Sequence, residues 1–239
     1  TYAVDINGSD YHRLSVSWYG ATNDDSYIEN VMANVNPTTE VLELGIQNTE
    51  VRASTTNFYV GGAFVIDENV GTRDVTGITI TENGTIDAST ALDNIKLYYD
   101  LDTSNPYDCA SESYSGSEIR FGSIDTNGFS AADGTSAFST SSSISISTTQ
   151  SMCVYVVTDV TKAASDGETI EIEIANPSTD VTVSGGVTPV PHYSIALDGE
   201  TSITLDTDFR VQRGFFTMST DTHTLTAGID YDAPVSSTS

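Results

Sequence analysis

One pattern restricts this chain more than any other. Apolar residues recur at every second position in segment after segment, and no stretch carries the 3.6-residue apolar repeat of an amphipathic helix. The pattern is cleanest in ETIEIEIANP, where Ile170, Ile172 and Ile174 take one side and Glu171 and Glu173 the other. Successive side chains of a strand point to opposite faces, so this segment reads as a half-buried strand. The same alternation runs through VLELGIQ (Leu42, Leu44, Ile46), TGITITENGT (Ile78, Ile80) and SSSISISTT (Ile144, Ile146). FYVGGAFVI carries Gly61-Gly62 in mid-strand, a signal for a bulge or a close backbone approach. MCVYVVTDV differs, with Met152, Val154 and Val156 on one side and Tyr155 and Val157 on the other. A strand apolar on both faces belongs at the middle of a sheet. About nine strands at this spacing predict an all-β fold, an Ig-like or jelly-roll-type β-sandwich.

The punctuation divides the chain into three. Residues 41–188 form the expected sandwich. Residues 1–40 form an N-terminal strand segment, with Tyr2, Val4 and Ile6, then Leu14, Val16 and Trp18, ending near Pro37. The run SGGVTPVPHYS (184–194) has the composition of a linker, so residues 189–239 read as a C-terminal strand segment or joining unit. Its apolar alternation is Ile203, Leu205, Phe209 and Val211. Neither flank is large enough to bury a core of its own.

The stretch from Ile95 to Gly122 is the part of the sandwich with a functional look. It starts as a strand, becomes an acidic and tyrosine-rich excursion holding Cys109, and returns to strand at Glu118. The other cysteine of the chain is Cys153, in the doubly apolar strand. A Cys109–Cys153 disulfide would pin the excursion to the core, and closing a loop of about forty residues would contribute on the order of 4 kcal/mol. Two free buried thiols are the other reading. Two cysteines without CxxC spacing suit one disulfide in an oxidising compartment, hence a secreted chain.

Oxygen side chains crowd the same excursion: Asp100, Asp102, Asn105 and Asp108 in DLDTSNPYD, with Glu112 close behind. Ca²⁺ takes six to eight hard oxygens, so a short loop of this kind can wrap one ion. The D-x-D start resembles an EF-hand, but the glycine at position six and the glutamate at position twelve are missing. A solvated acidic loop stiffened by Pro106 explains the same residues. Tyr98, Tyr99, Tyr107 and Tyr114 cluster there too. They offer either a surface for glycans or a partner, or rings that pack the loop onto the sheet. Asn7-Gly8-Ser9 and Asn83-Gly84-Thr85 match the N-glycosylation sequon, although Asn-Gly is equally a turn signal.

Composition narrows the function classes. Eight Lys+Arg stand against 34 Asp+Glu, a formal charge of −26. A surface this acidic is wrong for nucleic acid or for anionic membrane, and suits solubility outside the cell or divalent counterions. No apolar run approaches the roughly 20 residues of a membrane span. The chain starts at Thr1 without an initiator Met, as expected of a processed leader or of a piece of something longer. There is no G-x-S-x-G, no HExxH and no phosphate-binding glycine loop. His12, His192 and His223 are far apart, and paired glycosidase carboxylates would be indistinguishable among so many acids.

The block YVGGAF … ITITENGTIDASTALDNIKLYYDLD … YDCASESYSGSEIRFG … MCVYVVTDV … SDGETIEIEIANPS resembles β-sandwich modules of large secreted prokaryotic surface proteins, over roughly Val41–Gly186. In plan the chain is also similar to extracellular filament and tubule subunits that join by donor strands, sometimes with calcium. The resemblance implies no active site. It implies a non-enzymatic subunit of a filament, tubule or surface layer, polymerising head to tail with itself by strand exchange. The alternative is a carbohydrate-binding or adhesin module acting on surface glycans.

Overall fold

The computed structural model describes residues 38–205. Fourteen strands follow one another in them: β1 (Thr39–Gln47), β2 (Glu50–Arg52), β3 (Phe58–Tyr59), β4 (Gly61–Glu68), β5 (Thr72–Glu82), β6 (Leu92–Asp102) and β7 (Ile119–Asp125), then β8 (Thr135–Ser147), β9 (Ser151–Val160), β10 (Thr169–Ile170), β11 (Ile172–Ile174), β12 (Val181–Val183), β13 (Ile195–Ala196) and β14 (Thr201–Thr204). Helix is confined to single turns, Ala88–Ala91 and Pro177–Asp180, with a 3₁₀ turn at Ser184–Gly186. The expectation of an all-β sandwich holds.

The first sheet runs β1-β4-β9-β6-β7, all antiparallel, with β3 also paired to β9. The second runs β12-β5-β11-β13, with β8 on the other side of β5. A three-stranded sheet, β10-β14-β2, contains a parallel ladder, Ser202 to Thr204 against Glu50 to Arg52. One core lies between the sheets. Phe64, Ile66, Leu97, Met152, Val154 and Val156 come from the first; Val75, Ile78, Ile80, Phe138, Ile146 and Ile172 come from the second. Each is removed from water because its strand presents one face inward, the arrangement the alternation demands.

The paired glycines of β4 mark a bulge. Gly61 and Gly62 have φ of +99° and +66°, and the β1–β4 register shifts between Leu44 and Gln47. A Cβ on Gly61 would sit 2.5 Å from the Asn48 backbone nitrogen, so a side chain there would push β1 away.

The C-terminal boundary needs correcting. The expected linker is part of the sandwich, and so is Ile203. Val190 exchanges backbone hydrogen bonds with β1: Val41 N–H donates to Val190 O (2.8 Å) and Val190 N–H to Thr39 O (2.9 Å). Pro189 and Pro191 lack N–H groups, but an edge segment needs its N–H groups only on the side that pairs. Leu197 and Ile203 are 1 % exposed, and β14, which carries Ile203, pairs within the chain on both sides. Ile203, read from the sequence as part of an assembly strand, is a core residue of its own sandwich. The remaining assembly residues, Tyr2, Val4, Ile6, Leu14, Val16, Trp18, Phe209 and Val211, lie outside the described residues, as does the glycosylation candidate Asn7. Leu205 is exposed, and its N–H donates to Asp166.

The registers also fix where the chain enters and leaves. Thr39 pairs with Glu68, Ile66 with Met152, and Ser151 with Asp102, so Thr38 lies at the end of the sandwich that carries the 103–118 loop. Leu92 pairs with Val160 at the other end, where Thr204 O accepts Ala53 N–H and Gly167 N–H donates to Ile203 O. The described chain thus enters at one end and leaves at the opposite one. The eleven residues of β6 separate the two ends by roughly 35 Å at the rise of a strand.

Candidate functional site

The site is the outer face of the first sheet together with the loop that folds back over it. On β6 the side chains of Lys96, Tyr98 and Asp100 share this outer face, while Ile95 and Leu97 belong to the core. On β9 the same face carries Cys153 and Tyr155, and on β4 Ala63 and Val65. Register places Tyr98 opposite Tyr155 and Asp100 opposite Cys153. The result is an apolar strip on a face that an ordinary sandwich leaves to water, and the loop covers it.

Cys109 is the anchor. It is 1 % exposed and disulfide-bonded to Cys153, with Cα atoms 5.7 Å apart. Asp102, fully buried at the end of β6, organises the loop's neck. Its Oδ1 accepts the Ser104 N–H (2.8 Å) and the Ser111 hydroxyl (3.1 Å), and its Oδ2 accepts the Cys109 N–H (2.9 Å). Cys109 and Tyr107 both have positive φ, +63° and +64°, which the chain tolerates where a neighbouring side chain fixes the turn. The Ser151 hydroxyl lies within hydrogen-bond reach of two acceptors, Tyr107 O and Asp67 Oδ1, and its one proton serves either.

Tyr114 then lays its ring on three others. Its centroid is 4.6 Å from Tyr59, 5.7 Å from Tyr98 and 5.7 Å from Tyr155. Tyr59 meets Tyr155 edge-on at 6.0 Å and donates its hydroxyl to Gly62 O (2.6 Å). Offset and edge contacts of this kind add to what burial alone contributes. Tyr99 takes no part. It points to the other face and meets Phe121 edge-on at 6.4 Å. Tyr107 lines a shallow groove of about 200 Å³ beside β1, with Leu42, Leu44, Val65, Pro106 and Asp108.

Carboxylates rim the tyrosines. Asp100 is held above the usual carboxylate range by burial and by the negative charges of Glu118 and Glu112. Burial works against the Glu118 carboxylate too, but the N–H and hydroxyl of Ser115 and the N–H of Gly116 donate to it and hold its pKa low. Burial pushes the Tyr59 phenol up to about 12, with Glu118 and Tyr114 adding to the effect. Burial raises Tyr155 further still, and its buried hydroxyl has no hydrogen-bond partner.

The five oxygen ligands read from the sequence lie along the end of β6 and the loop that follows it. Asp102 and Asp108 direct oxygens at loop N–H groups, Asp108 to Ala110 at 3.0 Å, and Asn105 is exposed. Among the described residues no three His, Cys, Asp or Glu side chains are grouped as a metal would need, so the calcium reading rests on the sequence pattern alone. His192, the one histidine among those residues, is exposed. Asn83 is exposed at its turn, while the Thr85 hydroxyl of the same sequon accepts the Thr169 N–H (2.8 Å).

The alternation pattern missed Tyr59 and Tyr155 as members of the cluster. Tyr155 carried a signal, since an aromatic ring on the outer face of a central strand packs favourably against other rings. No protein-family model matches this chain, and no curated protein matches it.

Proposed function

We propose that the chain is a non-enzymatic structural module of an extracellular or cell-surface assembly, a subunit of a filament, tubule or surface layer that joins to its neighbours through its terminal strand segments. The observation that supports this best is the path of the chain, in at one end of the sandwich and out at the other. A module threaded in this way passes tension along its strands and stacks end to end with the next copy, which is the geometry of a linear assembly. The disulfide fits such a role and an oxidising milieu, since it ties the loop at the entry end to the central strand β9. No helix among the described residues is long and apolar enough to cross a membrane.

The edge that would receive a neighbour's strand is β8. It is 13 residues long and contains no charged residue and no proline, in a chain of formal charge −26. Among the described residues its ladder partner is β5 alone. Edge strands are ordinarily blunted by charge or proline, and an uncharged one is the place where a further strand pairs at least cost.

The test is sedimentation and electron microscopy of the full chain beside a chain lacking residues 1–37. The full chain is expected to form regular fibres or tubes and the shortened one to stay monomeric. A full chain that stays monomeric across salt and calcium concentrations overturns the reading, and the tyrosine face then becomes the surface to probe against glycans.

A further inference from the structure

Lys96 is a buried cation in a strongly acidic chain. It is one of two lysines and is only 8 % exposed, whereas lysine is among the residues least often buried. Its stem lies across the outer face of β9, opposite Val157, which is itself opposite Tyr59 of β3. The amine therefore reaches across the central strand toward the residue just before β3, Asn57. Nζ lies 2.5 Å from Asn57 Oδ1, closer than an ordinary N–H···O hydrogen bond. A C=O bond is about 1.2 Å long, so the amide carbon Cγ is at most about 3.7 Å from the amine, near the separation from which bonds form.

A carboxylate completes the group. Asp159 Oδ1 is 3.9 Å from Lys96 Nζ and accepts the Asn57 backbone N–H at 2.6 Å, while Oδ2 accepts Asn94 Nδ2 at 2.9 Å. Asn57 and Asn94 both hold positive φ, +52° and +50°, a conformation asparagine adopts more readily than most residues. Two neighbouring strands, β6 and β9, and the residue leading into β3 thus bring an amine, a carboxylate and an amide together.

We propose that Lys96 and Asn57 form an intramolecular amide crosslink, with Asp159 moving the protons. The Lys96 ammonium passes one proton to the Asp159 carboxylate, and the free amine attacks Cγ of Asn57 to form the new N–C bond. Asp159 returns its proton to the amide nitrogen, the old C–N bond breaks, and ammonia leaves carrying the second proton of the former amine as ammonium. No oxidant, reductant or cofactor enters the balance. The product fastens β6 to the chain entering β3, across β9.

The deciding measurement is the intact mass of the purified full chain, reduced and denatured, followed by tandem mass spectrometry of its peptides. The expected mass is that of the sequence less one ammonia, with the Asn57 and Lys96 peptides joined. Asn-Gly steps lose ammonia too when they close to succinimides, and this chain has three: Asn7-Gly8, Asn83-Gly84 and Asn127-Gly128. Hydroxylamine opens a succinimide and leaves the crosslink intact. Lys96→Arg and Asn57→Ala are expected at full sequence mass, and Asp159→Asn, once shown folded by circular dichroism, is expected to remain unjoined. A wild-type chain at full mass, or an ammonia loss that hydroxylamine reverses, overturns the proposal. A folded Asp159→Asn that joins as fast as wild type removes the carboxylate from the step.

Discussion

Asp102 and Cys109 face each other across the neck of the loop, the Cys109 N–H donating to Asp102 Oδ2 at 2.9 Å with both residues buried. The other oxygen of the same carboxylate takes the Ser104 N–H and the Ser111 hydroxyl, so one side chain closes the loop from both its arms. Asp102→Ala leaves two backbone donors without their acceptor, and hydrogen bonds to a charged group are the stronger class. The expected cost is roughly 2–4 kcal/mol by urea denaturation, with faster amide exchange at Cys109. Asp102→Asn is expected in between, because its amide keeps one acceptor and turns a donor toward the Cys109 N–H. An alanine variant within about 0.5 kcal/mol of wild type would show that the loop does not depend on this carboxylate.

The disulfide acts through a different state. Its sequence separation is 44 residues, and tying such a loop restricts the unfolded chain by about 4 kcal/mol in the chain-entropy account. The β9 ladders to β4 and β6 are made by backbone and do not need the bond. Reduction is therefore expected to lower the denaturation midpoint while leaving the far-ultraviolet circular dichroism of the folded protein unchanged. An identical midpoint with and without reductant would sink the entropic reading, and a collapse of the β spectrum would mean that the bond holds the native sheet itself.

Alternation made the fold class readable because the two faces of each strand meet different surroundings, and Ile170, Ile172 and Ile174 are all fully buried as their pattern requires. Where both faces carry apolar residues the same rule loses its direction. In β1 the alternating set Leu42, Leu44 and Ile46 faces outward, Leu42 and Ile46 largely exposed, and Val41 enters the core instead. Of the outward set, Leu42 and Leu44 line the groove beside the loop, and Ile46 does not. Proline and glycine misled at residues 184–194 for a related reason: composition reports what a segment cannot do alone, and Val190 pairs only because β1 presents an open edge to it. The Lys96–Asn57–Asp159 group was invisible because register between distant strands, and not spacing along the chain, brings its members together.

Glu82 contributes to the pH dependence of the sandwich. It ends β5 with no exposed surface; its Oε1 accepts the N–H of Gly84 (2.8 Å) and of Glu171 (3.1 Å), and its Oε2 has no partner. Its pKa is raised from 4.5 to about 7: burial is the largest cause, the two N–H groups act against it, and the charges of Asp133 and Glu171 add to it. An acid with a raised folded-state pKa binds its proton more tightly when folded. Its stabilising share is therefore complete below about pH 4.5 and is lost as pH rises through about 7. The whole loss is on the order of 3 kcal/mol. The remaining carboxylates repel one another more as pH rises and add a slope of the same sign, so the difference between wild type and Glu82→Gln isolates this residue. Glutamine keeps an acceptor for both N–H groups and cannot ionise. Urea denaturation from pH 4.5 to pH 8 is expected to show the variant's stability falling less steeply than wild type and exceeding it at pH 8. Parallel profiles would mean that Glu82 titrates like a solvated glutamate, and that the pH response belongs to the surface charge alone.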